Sequence, residues 1–315
     1  MNVFGPIPSR RLGRSLGINN IPPKTCSYSC VYCQVGRTNK MHIERQKFYE
    51  PAEILYEAAE KVAQLKKLNK PIDYLTFVPD GEPTLDINLG YIIDLLKSLN
   101  IKIAVITNGS LLWKKDVRED LFKSDLVSIK IDSVIEKIWR KINRPHHKLA
   151  LSKLIEGIDD FCRHFKGNLL TETMLVGGIN DTEESLVGTA ELINWIEPAT
   201  AYLLIPTRPP AESWVIPPSN EVINKAFQIF NERINKVELI SGYEGNDFTY
   251  TGDLEEELSS TLSVHPMRED AVETLIAEGM EDQSVLKKLL HEGKVVEVEY
   301  NGKKYLQRNF SKNST

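Results

Sequence analysis

Short runs rich in β-branched and aromatic residues recur along the chain at 74–78, 101–106, 126–131, 169–176, 201–205 and 237–240. Between most of them, at 52–68, 89–99, 149–165, 183–196 and 221–234, apolar residues fall at the i, i+3, i+4 spacing of a helix with one buried face. A strand followed by a helix and then another strand returns in the same direction, so this alternation demands a parallel sheet with helices outside it. The expected fold class is α/β, a partial parallel barrel of about six β/α units, with its chemistry at the C-terminal ends of the strands.

The rhythm stops at Asp253-Leu254-Glu255-Glu256-Glu257. Beyond it the pattern predicts a helix at 268–278, Gly279, a helix at 283–291, Gly293, and strands at 295–300 and 303–308. Asn301-Gly302 joins those strands as a strong two-residue hairpin signal. The expected division is a barrel domain over 1–253 and a small winged-helix-like domain over 254–315.

With 41% hydrophobic and 26% charged residues, the composition is that of a folded globular protein and excludes a disordered chain. No apolar run approaches the ~20 residues that span a bilayer. Residues 1–6 lack the charged and apolar regions of an export signal, so the expectation is a cytoplasmic protein without a membrane partner. The net charge of −5 conceals an asymmetry: residues 1–50 hold eight Lys or Arg against two acids, which leaves −11 for the remainder. Screening acts over about 8 Å at physiological salt, so a ligand feels such a local excess more than the global sum.

Three of the four cysteines, Cys26, Cys30 and Cys33, lie within eight residues. That spacing is wrong for scattered disulfides, and Cys162 falls on a helical apolar face as core filler. Three thiolates at C-x3-C-x2-C spacing can hold an iron–sulfur cube and leave one iron open to another ligand. The alternative is a structural zinc ion with His42 as fourth ligand.

Thr25-Cys26-Ser27-Tyr28-Ser29-Cys30-Val31-Tyr32-Cys33 resembles the signature of the radical S-adenosylmethionine (SAM) superfamily, C-x3-C-x-aromatic-C, with Tyr32 as the aromatic. The resemblance extends from residue 5 to about 240 and includes several loops in the family's order. Gly81-Glu82-Pro83, with Asp80 in place of a first glycine, stands where the family holds the methionine amino group of SAM. Asn108 ends the next strand; Ser128, Lys130 and Asp132 end the one after; Gly177 opens a turn similar to the family's turn near the adenine. Gly81-Glu82-Pro83-Thr84-Leu85 and Thr173-Met174-Leu175-Val176-Gly177-Gly178 look most like the wyosine-synthase-related iron–sulfur oxidoreductases. Those enzymes bind a second cluster on further cysteines; this chain has no three more, so their reaction does not transfer.

The resemblance implies one [4Fe–4S] cluster on Cys26, Cys30 and Cys33, with SAM chelating the open iron. It further implies reductive cleavage of SAM to a 5′-deoxyadenosyl radical that takes hydrogen from a substrate, fed by a flavodoxin- or ferredoxin-type donor. It names no catalytic side chain. A macromolecular substrate, RNA or protein, is the expectation, against a non-catalytic iron–sulfur or zinc-binding regulator that works through its winged helix. Arg10, Arg11 and Arg14 are expected to line the barrel mouth and meet an anionic part of the substrate. From residue 262 onward, eight Lys or Arg face nine Asp or Glu, so a protein contact is preferred there and nucleic acid is the second choice.

Overall fold

The computed structural model describes residues 2–242, 245, 248–250, 252–280 and 282–309. Its strands are β1 (Val3–Ser9), β2 (Gly13–Ile18), β3 (Thr25–Cys26), β4 (Lys40–Met41), β5 (Tyr74–Phe77), β6 (Lys102–Thr107), β7 (Leu126–Lys130), β8 (Asn168–Met174), β9 (Thr200–Leu204), β10 (Val237–Ile240), β11 (Met267–Arg268), β12 (Val295–Tyr300) and β13 (Lys303–Arg308). The helices are α1 (Pro51–Lys67), α2 (Leu89–Leu96), α3 (Lys115–Leu121), α4 (Glu136–Asn143), α5 (Leu151–His164), α6 (Glu183–Ile196), α7 (Asn220–Asn231), α8 (Leu254–Val264), α9 (Glu269–Glu278) and α10 (Ser284–His291).

Eight strands form one sheet in the order β1-β2-β5-β6-β7-β8-β9-β10. From β2 to β10 every pairing is parallel, as the alternation of strands and helices requires. Period-two alternation sorts the side chains. Ile103, Val105, Val127, Ile129 and Leu203 belong to the main core with the helices, whereas Ala104, Leu126, Leu170, Tyr202 and Leu204 share a second cluster inside the curl. Three helices start where a side chain satisfies one of their first N–H groups: Thr182 caps α6, Ser219 caps α7 and Asp253 caps α8.

The N-terminal segment, where the sequence pattern shows no strand, is the antiparallel hairpin β1–β2. Its glycines and prolines conceal the strand signal, and tertiary pairing with β5 supplies what propensity does not. At its tip Leu12 joins the cluster inside the curl, so this turn plugs the end of the barrel where the parallel strands begin. Arg10, Arg11 and Arg14 were expected to line the mouth; the turn and strand start that carry them lie at the opposite end of the barrel, yet Arg11 reaches the cavity that the cysteines border. The reason is register, since Ser15 pairs with Tyr74 at the start of β5 and the Arg14 backbone N–H donates to Asp73 at 2.8 Å.

After Asp253 the order is α8, β11, α9, α10, β12, β13, with the short sheet ordered β11-β13-β12. This adds one helix and one strand to the two helices and hairpin predicted. α8 went unread because Ser and Thr at 259–261 and 263 blur its apolar face. The unit has its own core around Leu258, Leu262, Val272, Leu275 and Leu306, which also takes in Phe248. It is fastened to the barrel by Ile7 against that core, by a Lys61–Glu257 ion pair at 3.4 Å, and by Tyr300 and Tyr305 hydroxyls donating to Pro206 and Thr207 carbonyls.

On the hairpin, Phe4 lies opposite Gly17, and a Cβ on Gly17 runs into the Phe4 ring. Gly17→Ala should cost about 1–3 kcal/mol by overpacking, measured as a lowered midpoint of urea unfolding. Phe4→Leu in the same chain should restore part of the loss.

Candidate active site

The segment that carries the cysteines crosses the C-terminal ends of the strands and is pinned on two sides. On one side β3 pairs with β4, and Thr25 bridges to Gly81 in the loop after β5. Gly81 has φ +153°, and a Cβ there would collide with the Thr25 carbonyl, so only glycine allows the two loops to meet. On the other side Ser29 and Val31 N–H groups donate to carbonyls of Asn143 and Ile142 at the end of α4. Cys26, Cys30 and Cys33 are half-buried and border one cavity of about 240 Å³.

Burial pushes all three thiols up, Cys30 to about 12, with nearby carboxylates adding to the effect. Thiols in such a place ionise only when a cation binds them. Donors wait for the charge. Asn108 Nδ2 lies 3.6 Å from Cys26 Sγ, the Tyr28 N–H 3.5 Å from the same sulfur, and Asn143 Nδ2 3.4 Å from Cys30 Sγ. Hydrogen bonds to ligand sulfurs are how a protein tunes an iron–sulfur cluster, so this donor set fits that group. Among the described residues no three His, Cys, Asp or Glu side chains, the three cysteines included, already sit close enough together to hold a metal ion, and His42, the fourth ligand of the zinc alternative, does not line the cavity.

The Glu82 carboxylate is buried and already engaged. Oε1 accepts from the Thr84 N–H and the Thr84 and Thr107 hydroxyls, and Oε2 accepts from the Asn108 N–H at 2.8 Å. It therefore locks the loop after β5 to the loop after β6 while lining the cavity. Pro83 starts a short 3-10 turn whose carbonyl accepts from Asn20 at 3.0 Å. Asp80, beside Gly81, faces the cavity with Lys24 at 3.5 Å, and burial raises its carboxyl.

Lys130 reaches the cavity from the end of β7 and pairs with Glu172 at 3.1 Å. Glu172 also receives Arg11 Nη1 at 2.5 Å and the Ser128 hydroxyl at 2.7 Å. Burial alone would raise Glu172, yet Arg11 and Lys130 overcome it and hold the carboxyl at about 2. Ser128 is thus a second-hand member of the site, acting on Glu172 and not on the cavity. Asp132 also stands behind the wall: it accepts from the Tyr32 hydroxyl at 2.5 Å, Asn143 Nδ2 at 2.6 Å and the Met174 N–H at 2.8 Å. It fixes the aromatic residue of the cysteine motif and the amide that serves Cys30.

Gly177 lines neither cavity nor cysteine loop; its N–H donates to the Ile216 carbonyl, holding the turn after β8 against the chain beyond β9. Of the three arginines, only Arg11 borders the cavity, from below. Cys162 packs beside the main core as expected. Sequence reasoning missed Asn143, Glu172 and Arg208. Glu172 did leave a signal: an acid inside a buried strand needs a partner. Asn143, which donates to Cys30 Sγ, and Arg208, which borders the cavity and donates to Gln34, left none, because they come from distant segments that meet only in the fold.

The sequence profile of the family described as the Radical SAM superfamily matches residues 20–193. A UPF0026 protein of Methanocaldococcus jannaschii is 50% identical over 309 residues, covering 98% of this chain and 96% of that protein. A radical SAM methyltransferase from Sphaerobacter thermophilus gives a TM-score of 0.55 at 15% identity, over 72% of this chain and 66% of that one. TYW1 with a lysine-pyruvate adduct bound gives 0.52 at 17% identity, over 70% of this chain and 74% of that one. At these identities the two solved structures establish likeness of fold.

Removing the charge of Glu172 leaves two buried cations facing each other, so Glu172→Gln should cost about 3–5 kcal/mol. Because the folded carboxyl is depressed, its contribution is present above the ordinary value of 4.5 and is lost as the pH falls toward about 2. Urea unfolding at stepped pH should show that acid-side loss in the parent chain and not in Glu172→Gln.

Proposed function

Since the chain belongs to the radical SAM superfamily and is an enzyme of that superfamily, we propose that Cys26, Cys30 and Cys33 hold one [4Fe–4S] cluster with SAM beside it in the cavity. The observation that carries this reading is that three thiols, two of them with an amide donor beside the sulfur, border one cavity at the C-terminal ends of parallel strands. When bound and reduced by a flavodoxin- or ferredoxin-type donor, the cluster supplies an electron that breaks a carbon–sulfur bond of SAM and so removes a hydrogen atom from substrate.

The chain's own residues prepare the place. Asn108 and Asn143 offer hydrogen bonds to Cys26 and Cys30, and Asp132 keeps Asn143 and Tyr32 in position. The locked loop at 80–84 offers backbone groups to the SAM amino group, with the Asp80 carboxylate beside them. Lys130, held by Glu172 and lying 5.7 Å from the Tyr32 ring centroid, places a positive charge where a carboxylate of SAM can meet it.

We read the C-terminal unit as winged-helix-like and as a wall of this cavity, to which it contributes Val264. Three of its lysines face its own acids, Lys288 on Glu255, Lys294 on Glu255 and Glu292, and Lys304 on Glu269. Such pairing favours a protein-contact role over a nucleic-acid groove, where phosphate contacts supply most of the affinity.

Anaerobically reconstituted protein should bind about four irons per chain and release 5′-deoxyadenosine from SAM only with a reductant such as dithionite. Simultaneous Cys26→Ala, Cys30→Ala and Cys33→Ala should abolish both while circular dichroism stays that of the parent. One tightly held zinc and no reductant-dependent cleavage would sink the reading.

A further inference from the structure

The cavity that the cysteines border opens into an inner pocket of about 80 Å³ that contains none of them. This pocket lies within the curl of the sheet and is lined by Phe4, Leu12, Thr76 and Ile106. Arg11, Gln34, Arg208 and Val264 border both spaces, and His265 borders the inner one. No described acidic residue lines the inner pocket.

The two guanidinium groups come from opposite ends of the barrel. Arg11 rises from the β1–β2 turn below, whereas Arg208 hangs from the loop after β9 above. Both are oriented by several contacts. Arg11 is braced on Glu172, and Arg208 Nη1 donates to Gln34 Oε1 at 3.0 Å. Gln34 directly follows Cys33, and its Nε2 donates to the Val264 carbonyl at 3.3 Å. Tyr305 and Tyr300 clamp the Arg208 loop by donating to Thr207 at 2.9 Å and Pro206 at 3.1 Å. A guanidinium carries five N–H donors in a planar fork, so one group can serve a neighbour on one edge and an anion on another. Apolar walls lower the local dielectric and strengthen that attraction. Burial, with the charges of Arg208 and Arg11 behind it, holds the His265 imidazole well below its ordinary value and so neutral.

We propose that this inner pocket holds an anionic group of the substrate, a carboxylate or a phosphate, between Arg11 and Arg208. The assignment rests on the reaction proposed above and adds to it the chemical class of what is acted on. Arg208, which the sequence did not single out, is a specificity-determining residue in this account, and Tyr305 and Tyr300 are positioning residues.

The test is equilibrium dialysis of radiolabelled phosphate, and separately of radiolabelled acetate, against the cluster-loaded full-length protein with SAM present at saturation. At least one probe should bind, and which one binds names the class. Arg208→Gln should weaken binding about tenfold or more, as loss of a charge-assisted hydrogen bond does. Arg11→Lys keeps a cation beside Glu172 and should weaken it severalfold, while Arg10→Gln, on the exposed side of the turn, should leave it unchanged. Tyr305→Phe, which keeps the ring and loses only the hydroxyl, should weaken binding in the same direction as Arg208→Gln. Binding of neither probe, binding unaltered by Arg208→Gln, or binding seen only when SAM is left out would overturn the proposal. Arg208-dependent binding in a protein that makes no 5′-deoxyadenosine would instead defeat the radical reading and leave the pocket standing.

Discussion

A carboxylate placed inside a curled sheet has to be neutralised where it stands, because desolvating it alone costs far more than folding can supply. Glu172 is met from below by Arg11 and from above by Lys130, with the Ser128 hydroxyl on its flank. The N-terminal turn can close the base of the barrel only because its arginine has this target, and Lys130 can stand at the cavity wall only because its charge is answered. A single acid thereby couples the plug to the site.

The same economy governs the loops at the other end. Glu82 ties the loops after β5 and β6 together through four hydrogen bonds, and Asp132 ties the cysteine motif to α4 and β8 through three. Glu82 lines the cavity while it fixes the loops around it, and Asp132 stands behind the wall and fixes what faces it. Burial raises both carboxyls, against the donors that pull them down, which is the balance of a group held for its bonds more than for its charge.

Much of this was legible in the chain. The parallel sheet followed from strands and helices in alternation, and the cysteine loop and its satellites fell in the order the fold uses. What could not be read had a common cause. β1 and β2 are strands because β5 lies beside β2, and not because Gly5, Pro6, Pro8, Gly13 and Gly17 favour extension. The arginines were placed by sequence proximity to the cysteines, but the twelve residues 13–24, β2 and the loop after it, carry the chain from one end of the barrel to the other. Asn143 and Arg208 lie more than a hundred residues from the sulfur or glutamine they serve, a distance no local pattern reports.

The unit after Asp253 supplies Val264 and His265 to the inner spaces and clamps the loop at 206–208, yet synthesis delivers it after every barrel strand. During translation the sheet can curl and its plug can seat while one side of the cavity still lies open to solvent. The loop at 206–208, clamped by Tyr300 of β12 and Tyr305 of β13, therefore reaches its final place only once those strands have emerged, so completion of the cavity wall waits on residues that lie outside the barrel sheet.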